Sequence, residues 1–95
     1  MNFSKITKTK TFKVNHPNFS KIKLQLKPVC VDISFINDNK EVGGNQIWFA
    51  IGIDNGEFVK SILREEKINN ETIDEIISFL SQNYKLDLSK KTLPW

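Results

Sequence analysis

The chain is 95 residues long, 39% apolar and 26% charged, with a formal net charge of +3. This balance argues against wholesale disorder and gives enough apolar material for one small core. A single cysteine excludes an internal disulfide and fits a reducing compartment, and no apolar run reaches the length of a membrane span. The charge is unevenly placed. Lys5, Lys8, Lys10, Lys13, Lys21, Lys23 and Lys27 all precede the first acidic residue, Asp32, so positions 1–29 carry +7 and positions 30–95 carry −4. Segregation of this kind bears on association, here with something anionic, and not on fold.

The first extended segment runs from Lys8 to Val14, with Phe12 and Val14 sharing a parity, and Asn15-His16-Pro17-Asn18 supplies turn chemistry after it. Ser20 to Lys27 alternates without interruption: Ile22, Leu24 and Leu26 point one way, Lys21, Lys23, Gln25 and Lys27 the other. A hairpin between the two segments puts Lys13 almost opposite Lys21. Pro28 ends the second strand. Val29 to Ile36 predicts a third, with Val29, Val31, Ile33 and Phe35 opposite Cys30, Asp32 and Ser34.

Positions 37–45 then read as a nine-residue polar connection, long for a hairpin and therefore expected to be a mobile finger carrying Lys40 and Glu41. A fourth strand is expected from Gln46 to Asp54, with Ile47, Phe49, Ile51 and Ile53 on one face and Trp48, Ala50 and Gly52 on the other. Asn55-Gly56 is a hairpin signal, which predicts a fifth strand over Phe58–Leu63. Helical spacing is confined to Ile73, Ile76, Ile77, Leu80 and Tyr84, with Asn70 as the expected N-cap and Thr72-x-x-Glu75 as a competing capping box. Lys85–Leu88 is a candidate sixth strand. The expected fold is α+β: one antiparallel meander of four to six strands with a single amphipathic helix on one face. The whole chain, 1–95, reads as a single domain with loose ends at 1–7 and 89–95.

Catalytic chemistry is sparse. His16 sits in a turn and Cys30 in a strand, whereas a thiol nucleophile needs an oriented base and an electropositive, partly open setting. Structural zinc takes four Cys or His ligands and catalytic zinc three protein ligands, whereas this chain has one cysteine and one histidine. Asp32, Asp54 and Glu57 have no spacing that separates a magnesium site from ordinary strand and turn carboxylates. Gly43-Gly44 is followed by neither Lys-Ser/Thr nor a helix start, so it does not read as a phosphate loop. No enzymatic activity, cofactor or metal is expected.

The remaining reading is binding. With one sheet face given to the core, the other is expected to display Lys13, Lys21, Lys23, Lys27, Asp32 and Trp48, with Lys40 and Glu41 added by the finger. An indole framed by polar groups is the composition of an interface hot spot. The leading expectation is a small cytoplasmic protein that binds a larger protein, as an inhibitor, immunity or anti-defence module masking a nucleic-acid-processing enzyme or a toxin. Thirteen lysines to one arginine, in an Ile- and Asn-rich chain, belong to the AT-rich vocabulary common in bacterial mobile elements. The rival is non-specific nucleic-acid binding by the lysine face, although that face offers no arginine fork and only one strong aromatic. A second copy of the chain is a further candidate partner. A membrane is not.

Overall fold

A computed structural model describes residues 8–84 and Leu86. It contains four strands, β1 (Lys8–Lys13), β2 (Lys21–Leu26), β3 (Cys30–Asn37) and β4 (Lys40–Trp48), followed by two helices, α1 (Asn55–Glu65) and α2 (Asn70–Ser81). The strands form one antiparallel sheet in the order β1-β2-β3-β4. The class is therefore α+β with an antiparallel meander, and the expectation of a single helix is corrected to two. The backbone separates into two compact units, Met1–Trp48 and Phe49–Trp95. The candidate strand at Lys85–Leu88, apart from Leu86, and the two ends fall outside the described residues.

In the first unit the alternation of β2 and β3 sets the register. Phe12 faces Ile22, which faces Phe35; Leu24 faces Ile33; Leu26 faces Val31, which faces Ile47. All of these side chains are buried. Lys27 N–H donates to the Cys30 carbonyl across Pro28-Val29, a tight turn suited to proline's fixed φ. In the longer β1–β2 connection Phe19 turns inward, its ring stacked on Phe35 at 4.6 Å and on His16 at 3.9 Å.

The mobile finger expected at 37–45 is not a loop. Asn37 pairs with Lys40 across a two-residue turn in which Asp38 and Asn39 both have positive φ, 51° and 64°. This is the backbone of a type I′ hairpin, and Asp and Asn are among the few side chains that accept it. β4 therefore starts six residues earlier than Gln46 and ends at Trp48, so Ala50 and Gly52 do not flank the indole in the strand. The register slips between Phe35 and Ile36, which leaves Val42 as the extra residue of a bulge. Gly44 is fixed by close approach, since a Cβ there would lie 2.5 Å from the Ile33 carbonyl oxygen.

In the second unit the expected hairpin at Asn55-Gly56 and fifth strand at Phe58–Leu63 are replaced by α1. Asp54 is its N-cap, with Oδ1 accepting from Glu57 N–H at 3.1 Å. Asn55 is fully buried, its side-chain amide closing the preceding loop by donating to the Ala50 carbonyl and accepting from Ala50 N–H. α1 is closed just beyond its C-cap, Glu66, by Lys67, where φ is +63°. Ile68 N–H returns to the Leu63 carbonyl and Lys67 N–H to Arg64, which is a Schellman closure with Ile68 and Leu63 both buried. Asn69, not Asn70, caps α2, accepting from Thr72 N–H at 2.8 Å. α2 buries Ile73, Ile76 and Leu80, packs against α1, and among the described residues neither helix is long and apolar enough to cross a membrane.

Candidate binding face of the sheet

The face opposite the buried rows can be read strand by strand. Lys13 is directly across from Lys21, and that row continues through Ile36 to Glu41. The next row is Thr11, Lys23, Ser34 and Gly44. The third is Thr9, Gln25, Asp32 and Gln46, and at the edge Cys30 faces Trp48. Lys13, Lys21, Lys23, Asp32 and Trp48 thus lie on one surface, and Lys27 reaches it through Asp32. Glu41 borders the same surface. Lys40 stands at the hairpin end, paired with Asn37 and exposed.

Three of these groups are joined by hydrogen bonds through a residue that sequence reasoning passed over. Lys27 Nζ lies 2.7 Å from Asp32 Oδ2. Gln46 Nε2 donates to Asp32 Oδ1 at 2.8 Å, and Trp48 Nε1 donates to Gln46 Oε1 at 3.0 Å. Gln46 uses both ends of its amide, accepting from Trp48 and donating to Asp32, so donation converges on the Asp32 carboxylate from Lys27 on one side and from Trp48 through Gln46 on the other. The signal that could have found Gln46 is its parity with Trp48, two residues away in an extended strand.

The electrostatics follow from the same contacts. The hydrogen bond from Lys27 holds the Asp32 carboxyl below its ordinary pKa, burial opposes this, and Gln46 adds to it. The hydrogen bond to Asp32, and then its charge, raise the Lys27 ammonium. Cys30 is buried, and burial pushes its thiol up, with the Asp32 charge adding to the effect. Such a thiol is held away from its nucleophilic form. His16, the other residue considered for a dyad, has Nδ1 engaged by Asn18 N–H at 3.0 Å and its ring on Phe19. Among the described residues no group of three or more His, Cys, Asp or Glu side chains could hold a metal ion.

Beside the hydrogen-bonded chain lies a shallow depression of about 410 Å³, bordered by Gln25, Asp32, Ser34, Glu41, Asn45 and Gln46. Gly43 and Gly44 also border it and put no side chain into it. The face therefore divides. Its β1–β2 half is cationic, and its β3–β4 half is polar, carries two carboxylates and ends in an indole that is 59% exposed. Among the described residues Lys13, Lys21 and Lys23 form no ion pair.

In comparisons with known proteins, the chain matches no family model, no curated protein and no solved structure.

Proposed function

We propose that the chain is a non-enzymatic protein-binding module that docks a larger protein through the open face of its sheet, with Trp48 as the anchor. The observation that carries this reading is the state of the indole: 59% exposed, yet tied by its N–H through Gln46 and Asp32 to Lys27. An exposed aromatic costs less to immobilise on binding when its orientation is already set, and tryptophan is the residue most enriched among interface hot spots. Small size and the scarcity of catalytic groups favour a masking role, as an inhibitor, immunity or anti-defence protein, over a chemical one.

The test is affinity capture from the source cells followed by measurement of the captured protein's affinity for wild type and for Trp48→Ala. A hot-spot residue contributes about 2 kcal/mol or more, so the variant is expected to bind about thirtyfold more weakly or worse. Its thermal midpoint should stay at the wild-type value, because the ring is largely outside the core. Equal affinity of the two proteins would overturn the assignment of Trp48.

A second reading has its own support. Three lysines without an ion-pair partner among the described residues are what a phosphate-tracking surface needs. Against it, Glu41 ends the row that Lys13 and Lys21 begin, and among the described residues Trp48 is the one largely exposed aromatic side chain on this face.

A further inference from the structure

We infer that the partner lays an acidic, extended segment along β2, with its carboxylates against Lys13, Lys21 and Lys23. This rests on the protein-binding reading and names the chemistry of the partner. Of the four lysines at the face, Lys27 is already paired with Asp32 at 2.7 Å, which leaves three cations against Glu41.

Those three form a compact triangle. Lys13 and Lys21 are direct cross-strand partners, whose Cβ atoms stand about 5 Å apart in such a pair. Lys21 and Lys23 are alternate residues on one side of a strand, roughly 6.7 Å apart. An extended acidic segment has the same period, so carboxylates at every second residue match Lys21 and Lys23, and Lys13 closes over the first of them. In the free protein the Lys13–Lys21 juxtaposition is repulsive. A counter-charged partner converts that penalty into attraction.

The other half of the face argues for a protein over a nucleic acid as the source of the negative charge. The depression bordered by Asp32, Glu41, Gln25 and Gln46 is rich in acceptors and about 410 Å³ in volume, large enough for a side chain with N–H groups to give. A polypeptide can place such a donor two strands away from its carboxylates. A sugar-phosphate chain crossing the same rows would carry its charge onto Glu41.

The experiment is a backbone-amide NMR titration of the full chain with an oligo-glutamate peptide and, separately, with oligo-dT, at low and at physiological salt. The peptide should move the amides of Thr11, Lys13, Lys21 and Lys23 ahead of those of Lys8, Lys40, Lys60 and Lys67. It should also bind more tightly than oligo-dT, and the triple variant Lys13→Glu, Lys21→Glu, Lys23→Glu should lose at least tenfold in peptide affinity. If the triple variant does not fold, Lys23→Glu alone is read in the same way. Shifts spread evenly over all lysines, or tighter binding of oligo-dT that falls steeply with salt, would overturn the inference. Capture by Trp48→Ala reports separately on the protein-binding reading. Lost capture with an unlocalised peptide sinks only the acidic-segment inference, and undiminished capture sinks the Trp48 reading.

Discussion

Asp32 carries more of this face than any other single residue, because both of its oxygens are used: Oδ2 by Lys27 and Oδ1 by Gln46. Both contacts favour the charged form, so the folded-state pKa lies below the unfolded one despite partial burial. A depressed carboxylate contributes stability that is present above its unfolded pKa, about 4, and is lost as pH falls through the folded value. Lys27 has the opposite sign. Its folded pKa is raised above 10.5, so its contribution is present below that value and disappears as pH rises through the folded one. Between these limits the pair is fully charged. The expected outcome is that wild type melts slightly above Asp32→Asn at pH 6 and that the gap closes as pH drops below about 4. The Trp48 indole N–H resonance should move over the same acid range in wild type and stay still in Asp32→Asn. A gap that persists at pH 2 would mean that the carboxylate charge is not what holds the chain together. Because the pair is at the surface, its effect on melting should be smaller than that of any core truncation.

At the scale of elements, α1 is where local rules compete. Asn55-Gly56 in isolation is a hairpin signal, yet it follows Asp54 and precedes Glu57, an N-cap and an acidic N3 residue, with Ile53 and Phe58 at the two positions of a hydrophobic staple. The cap wins because a helix buries Val59 and Leu63, one turn apart, while leaving Ser61 exposed, whereas a strand would place Ser61 in the same buried row. Asp54→Ala should therefore lower stability by about 1 kcal/mol, read as a drop in the urea midpoint, and should speed hydrogen exchange at the Glu57 amide. An unchanged midpoint would place the start of α1 under tertiary control alone. β2 and β3 each present a buried and an open side, so period two is written into their residues, whereas β1 buries Phe12 alone and is legible from its position before the turn at Asn15–Asn18 and the strand that follows. β4 was misjudged because Lys40–Gln46 is exposed throughout and Ile47 is its one buried residue, leaving no alternation to read. Its glycines looked like loop breakers, although Gly44 is demanded by contact with the Ile33 backbone. The lysines, Asp32 and Trp48 were placed on one face by parity alone. Parity with Trp48 puts Gln46 on this face, but its bridging role is not legible in the sequence because it arises from pairing with Asp32 across β3 and β4.

At the scale of the whole molecule, net charge and charge placement make different predictions. Residues 1–48 carry a formal +5 and residues 49–95 a formal −2. Long-range attraction follows the total, which salt screens over about 10 Å at 0.1 M, whereas docking follows the local arrangement of unpaired cations. Two triple variants separate these effects. Lys13→Glu, Lys21→Glu, Lys23→Glu removes the cluster on the open face; Lys8→Glu, Lys40→Glu, Lys67→Glu makes the same change in total, from +3 to −3, at exposed positions outside it. If the molecule meets its partners through a local cationic patch, the second variant keeps measurable retention on a sulfonate cation exchanger at pH 7, while the first passes through. If total charge governs, the two elute together. The first variant should also be no less stable than wild type: reversing the charge at both Lys13 and Lys21 leaves like charges opposite each other, as before, and no core contact is lost. Coincident elution would show that the segregation of lysines in the sequence has no counterpart in how the folded protein meets an anionic surface.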